Sequence, residues 1–367
     1  MVVRCLRLFL IPALLAAVSV PLTWAQDVPS PDAPPVSTVP PADDTTPATP
    51  PKETLHVTSN LVTEYFTVRD KHNALIPNLS KDDCSVLDDK QPQKLVSFQA
   101  QATQPLTLGL LIDTSGSQQY LLPMEQQAAN EFLTRVMRPK DEAFVVSFDI
   151  GVNLEQDFTG NVAELKRAIN HVRINTGGGN GQVGIPGAGQ GPFPTQGDPK
   201  GTVLYDAVFE TSTQKMSGQI GRKALILLTD GEDEGSDMKI GQAIAAAQNA
   251  DAIVYVILIA DPSQYMGYGY GGMPVGMYTG GAAMHDLTVP TGGHVINAGR
   301  NGKKLQDAFD EIEEELRTQY EAQYIPSTPL NGSFHPVDVA CHDSQEPKLK
   351  VQARKGYFSI PNSDNDQ

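Results

Sequence analysis

Four uninterrupted apolar runs, separated by stretches of helical spacing, limit this chain to very few architectures. They are LTLGLLI at 106–112, AFVVSF at 143–148, KALILLT at 223–229 and AIVYVILIA at 252–260. A strand without a polar face is covered on both sides, which is the situation of a parallel sheet between two helical layers. Apolar side chains recur at helical spacing between and after these runs: Leu121, Met124, Ala128, Phe132 and Val136, then Val162, Leu165, Ile169 and Val172. Residues 203–216 read as helix, as do Ile240, Ala243, Ile244 and Ala247, and finally Leu305, Phe309, Ile312, Leu316 and Tyr320. Strands alternating with helices predict an α/β fold, a doubly wound, mostly parallel sheet with helices on both faces. This domain is expected over residues 105–325.

The flanks read differently. Residues 53–104 contain β-branched, alternating segments such as LHVTSNLVTEYFTVRD, with a polar turn at Asp88-Asp89-Lys90. Residues 326–360 return to β character with HPVDVAC and KLKVQARKGYFSI. The two segments are expected to pack together into one small β-rich module. Residues 361–367 read as a polar, frayed tail.

The first 25 residues have the layout of a signal peptide. Arg4 and Arg7 precede an apolar stretch from Leu8 to Leu22, broken by Pro12 and Pro21, and Thr23-Trp24-Ala25 offers a cleavage site. The run is short for a spanning helix. The chain is therefore expected to be exported, to the periplasm, the cell surface or the medium, with no membrane insertion after cleavage. Residues 26–52, rich in Pro, Thr, Ala and Asp, read as a disordered tether. The formal net charge of −16 argues against nucleic acid or an anionic membrane as partner. After cleavage two cysteines are left, Cys84 and Cys341, an even pair that suggests a disulfide. Closing so long a loop would stabilise by roughly 4–5 kcal/mol in the chain-entropy model.

The chemistry concentrates where buried strands end. The first run leads into Asp113-Thr114-Ser115-Gly116-Ser117, and the third into Asp230-Gly231-Glu232-Asp233. Ligands of open parallel sheets bind at the carboxyl ends of strands. Thr202 stands before a helix, after a glycine-rich loop over 175–201. Two carboxylates and three hydroxyls are hard oxygen donors without His or Cys, which disfavours zinc and copper and suits Mg2+. Taken alone, D-x-S-G-S could merely cap the next helix. Glu232 and Asp233 read either as a solvated acidic turn or as groups behind the ligands that tune the ion.

Asp113-x-Ser115-x-Ser117, with Thr202 and Asp230, resembles the metal-ion-dependent adhesion site of von Willebrand factor type A (vWA) domains. The chain as a whole is similar to the vWA-related secreted proteins of acidobacteria, through FTVRD and LDDKQPQ before the core and RKGY after it. The resemblance implies that Ser115 and Ser117 ligate Mg2+ (or Mn2+ or Ca2+) directly. Asp113, Thr202 and Asp230 would ligate directly or through water. It further implies a protein partner whose acidic residue completes the coordination.

No nucleophile elbow, P-loop or dinucleotide fingerprint is present, and the histidines show no paired ligand spacing. The expectation is a non-enzymatic protein for metal-dependent protein binding or adhesion. One alternative is an envelope scaffold with a structural metal. A Mg2+-dependent phosphoester hydrolase is the other, and it would need cations beyond Lys200 and Arg222 near the motif. A second long loop over 261–283, rich in Gly, Tyr and Met, suits either partner contact or a plain insertion. His285 and His294 are expected to flank a short helix.

Overall fold

The computed structural model describes residues 61–100, 103–174, 201–260, 267–268, 274–275, 280–328, 331–343 and 349–359. The expected signal peptide, the tether, the loop over 175–200, most of the loop after Ala260 and the tail lie outside these residues.

The chain opens with strands β1 (Val62–Arg69), β2 (Cys84–Asp88), β3 (Gln91–Pro92) and β4 (Leu95–Gln99). Then come β5 (Leu106–Asp113), α1 (Leu122–Val136), β6 (Glu142–Phe148), β7 (Val152–Thr159) and α2 (Val162–His171). Helix α3 (Leu204–Glu210) continues into a π-helical turn, Thr211–Met216, and is followed by β8 (Arg222–Thr229), α4 (Ile240–Asn249) and β9 (Ala252–Leu258). A short ladder pairs β10 (Gly267–Tyr268) with β11 (Pro274–Val275). The rest is α5 (Gly280–Thr288), β12 (Val295–Asn297), α6 (Gly302–Thr318), β13 (Tyr320–Tyr324), β14 (Phe334–Cys341), β15 (Lys350–Ala353) and β16 (Gly356–Phe358).

Six strands form the central sheet in the order β12-β9-β8-β5-β6-β7. All pairs are parallel except β6 with β7. Every residue of β5, β8 and β9 is buried, which explains their continuous apolar character. Helices α1, α2 and α6 cover one face, around Leu110, Phe132, Ile169, Ile226 and Phe309. Helices α3, α4 and α5 cover the other, around Leu111, Phe144, Val208, Ala247 and Met284. The sheet is doubly wound.

The flanks build two antiparallel sheets. One has the order β15-β1-β13-β4 and the other β16-β14-β2-β3. They share a core of Phe66, Tyr320 and Tyr324 from the first sheet with Val86, Val337 and Tyr357 from the second. Each sheet interleaves strands from before and after the α/β layer: β1 pairs with β13 and β15, and β2 with β14. A disulfide joins Cys84 to Cys341 at a Cα–Cα distance of 4.1 Å, closing a separation of 257 residues. Arg354 ties the flanks together, its Nε and Nη2 bonding the Glu64 carboxylate at 2.8–3.0 Å.

Three expectations are corrected. Helix α6 stops at Thr318, and Tyr320 opens β13, where its ring stacks on Phe66 at 5.3 Å. Ala283 is not part of a loop, because α5 already begins at Gly280. His285 sits inside α5 rather than beside it, and His294 directly precedes β12.

Candidate metal centre

Strands β5 and β8 are hydrogen-bonded neighbours whose paired residues run to Ile112 beside Leu228. Asp113 and Asp230 therefore emerge at one edge of the sheet, at adjacent carboxyl ends. Asp113 is fully buried, and Asp230 nearly so. Oδ1 of Asp113 accepts from the Ser115 N–H at 2.9 Å, and Oδ2 accepts from the Thr229 hydroxyl at 2.6 Å. The Ser117 hydroxyl donates to Asp230 Oδ2 at 2.6 Å, and Ser115 Oγ lies 3.0 Å from Ser117 Oγ. Oδ1 of Asp230 accepts from the Glu232 N–H at 3.2 Å, which shapes its turn. Four of the five sequence-derived candidates thus form one continuous group.

Thr202, the fifth, is tied in through its backbone. Its carbonyl accepts from the N–H groups of Glu234 and Gly235, each at 3.0 Å. The approach is close: a Cβ on Gly235 would stand 2.4 Å from the Gly201 carbonyl oxygen. On the other side, the Val203 N–H donates to the Asp149 carbonyl at 2.7 Å. Gly231 has φ +84°, a conformation that favours glycine, and its Cβ would meet Met284 and Leu258 at 2.9–3.0 Å. The loop bearing Asp230 is thereby pressed against the start of α5.

Glu232 and Asp233 serve helix ends. Oε1 of Glu232 accepts from the Gly280 N–H at 3.2 Å, at the start of α5. Oδ1 of Asp233 accepts from the Tyr205 N–H at 3.2 Å, at the start of α3, and from the Ser236 hydroxyl at 2.5 Å. Both carboxylates are thus occupied in positioning the loops.

Three further residues belong to the arrangement and escaped sequence reasoning. The Thr229 hydroxyl both donates to Asp113 and accepts the Gly231 N–H at 3.0 Å. Asp149 follows β6 at the same sheet edge, and its Oδ2 accepts from the Thr114 hydroxyl at 2.9 Å. A signal for it existed, since it is the first carboxylate after the second buried run. Glu125, in the first turn of α1, is wholly buried, and neither of its oxygens has a hydrogen-bond partner among the described residues. Only its place one helical turn into a buried face could have betrayed it.

The electrostatics disfavour bare carboxylates at this site. Burial, and next the Asp230 charge, push the Asp113 carboxyl up to about 7 against the pull of the Ser115 and Thr229 hydrogen bonds. Burial also holds Glu125 well above the usual carboxylate range, with Asp113 and Asp230 adding to the effect. Ionised carboxylates buried this close together are costly unless a proton or a cation meets them. The donors are all oxygen, the preference of a hard divalent ion, and the residues present fit one. Of the two cations weighed for phosphoester chemistry, Lys200 lies outside the described residues. Arg222 stands at the opposite end of β8, bonded to the Gln104 carbonyl at 3.1 Å.

No protein-family model matches the sequence, and no curated protein does. Solved structures with a similar course of the chain include the conserved hypothetical protein BatB from Bacteroides thetaiotaomicron, 14% identical, covering 58% of this chain and 100% of that one at a TM-score of 0.42. A von Willebrand factor type A protein from Catenulispora acidiphila is 11% identical and covers 83% and 74%, at 0.42. Proximal thread matrix protein 1 from the mussel byssus, with a zinc-occupied MIDAS motif, is 12% identical and covers 61% and 48%, at 0.43. Identities this low transfer no role to this chain, and the doubly wound α/β assignment stands on the strand order itself.

Proposed function

We propose that this chain is an exported vWA-type protein, of the kind abundant in acidobacteria, that binds a protein partner through a divalent ion and catalyses no reaction. Asp113, Ser115, Ser117, Thr202 and Asp230 would hold the ion, Mg2+ or in its place Mn2+ or Ca2+. The ion supplies a positive centre to which an acidic side chain of the partner can bind. The observation that supports this reading best is the buried Asp113–Asp230 pair, linked through Ser117 and Ser115 at adjacent strand ends.

The surroundings are consistent with a docking face. Tyr120, three residues beyond Ser117, is 75% exposed, and Ile150, on the β6–β7 turn next to Asp149, is 56% exposed. Tyrosine is among the residue types enriched at binding hot spots. The Cys84–Cys341 disulfide suits an oxidising compartment and hence export. No helix among the described residues is long and apolar enough to cross a membrane.

A scaffold with a structural metal has one observation in its favour. The Thr202 loop and the Asp230 loop are already hydrogen-bonded to each other, so an ion could serve only to stiffen them. The two readings part in a binding selection with displayed peptides bearing single Asp or Glu residues. Capture by the wild type that is lost in chelator, restored by Mg2+ and absent in Asp113→Ala supports partner binding through the ion. Capture indifferent to chelator contradicts it.

A further inference from the structure

We propose that the flanking β sheets carry a second divalent-ion site, built from Asp88, Asp89 and His335 and suited to Zn2+ or Mn2+. The topology brings the three together. Asp88 ends β2 opposite Val337 of β14, Asp89 begins the two-residue turn into β3, and His335 lies near the start of β14. One ligand atom from each lies within 4.8 Å of the other two. His335 Nδ1 is 2.8 Å from Asp89 Oδ2 and 4.0 Å from Asp88 Oδ1.

Asp88 carries the inference. It is wholly buried, and its Oδ1 has no hydrogen-bond partner among the described residues. The other oxygen, Oδ2, accepts from the hydroxyls of Tyr324 at 3.0 Å and Tyr357 at 2.9 Å. The carboxylate is thus fixed in place with one oxygen bare and turned to the imidazole. A bare buried carboxylate oxygen is costly unless something positive meets it. A hydrogen bond from Nδ1–H to Asp89 accounts for Asp89 and leaves Asp88 Oδ1 as it was. A cation among the three atoms satisfies both carboxylates.

The imidazole is held as a ligating histidine usually is, with its second nitrogen engaged. Nε2 faces Ser359 Oγ at 3.1 Å and Ser333 Oγ at 3.4 Å, and the ring stacks on Tyr357 at 5.3 Å. One imidazole with two carboxylates suits a first-row transition ion, Zn2+ or the harder Mn2+, better than Mg2+. Asp89 is only partly buried and leaves a path for the ion and for water ligands. The comparable group of His294, Glu311 and Glu315 is different, because the Arg69 guanidinium already bonds both of its carboxylates.

The test uses the full chain, oxidised and free of any histidine tag, with Asp113→Ala to silence the first site. It is titrated with ZnCl2 and with MnCl2 alone by calorimetry, and bound metal is counted by elemental analysis after gel filtration. One equivalent of Zn2+ or Mn2+ and a raised melting temperature are expected. Adding Asp89→Asn, a change in a partly exposed turn, or His335→Gln should weaken binding by more than about tenfold. Absence of binding in the Asp113→Ala protein, or binding untouched by both second substitutions, would overturn the proposal and leave His335 as a hydrogen-bonded core histidine.

Discussion

The Ser117 hydroxyl donates to Asp230 Oδ2 at 2.6 Å across 113 residues of sequence, so the ends of β5 and β8 are joined by a side-chain bond as well as by the sheet. In the proposed metal centre the same hydroxyl is an ion ligand. Ser117→Ala should then weaken Mg2+ binding by more than about tenfold, a loss of about 1.4 kcal/mol or more. Stability in chelator should change by only about 1 kcal/mol, the worth of one hydrogen bond. Calorimetric titration and urea unfolding measure the two effects separately.

Glu125 is a third buried carboxyl, with no hydrogen-bond partner among the described residues, and burial beside Asp113 and Asp230 favours its neutral form. Glu125→Gln keeps the shape and removes the ionisable group. In chelator at neutral pH the variant should be more stable than the wild type by about 1 kcal/mol or more, because folding no longer has to hold a proton on a buried carboxyl. Its gain from added Mg2+ should be smaller. Urea midpoints with and without the ion check both directions.

Both the α/β layer and the strand-end carboxylates were legible in the sequence, because burial on both faces leaves an unbroken apolar run. Strand β7 was not. It is an edge strand, VNLEQDFT, whose residues are all half-buried or exposed, so it has no such run. Tyr320 misled for a different reason. It continues the four-residue spacing of Ile312 and Leu316 in α6, yet it also starts the alternation Tyr320, Ala322, Tyr324, all buried. The alternation prevails because the Tyr320 hydroxyl donates to the Ile76 carbonyl at 2.6 Å and its ring packs against Phe66. Such long-range contacts leave no local trace. The same holds for Thr229 and Glu125, whose importance at the site comes from what they face.

The disulfide spans 257 residues and fastens β2 to β14. Reduction, or the double substitution Cys84→Ala with Cys341→Ala, should cost about 2–5 kcal/mol, mostly by freeing the unfolded chain. Urea unfolding with and without a reductant measures this, and the double variant should match the reduced wild type.

Glu64 is buried beside Arg354, with Asp251 and Asp88 as nearby negative groups. Burial raises its carboxyl above the ordinary 4.5 despite the pull of Arg354. The folded state therefore holds this proton more tightly than the unfolded one. The stability it contributes is complete below 4.5 and is lost as pH rises through the folded value. Glu64→Gln should flatten that part of the pH profile of the urea midpoint. Arg354→Met should destabilise at neutral pH by about 3–5 kcal/mol, since it leaves Glu64 buried without its partner.

Thermal unfolding of the full chain in chelator and then in millimolar Mg2+, beside the Asp113→Ala variant, tests the central claim most directly. An ion at about 100 times its dissociation constant stabilises by about 2.7 kcal/mol, a rise of several degrees. The metal-centre reading predicts that rise for the wild type and none for Asp113→Ala. Equal melting temperatures for the wild type in chelator and in Mg2+, Mn2+ or Ca2+ would contradict a metal centre at Asp113 and Asp230.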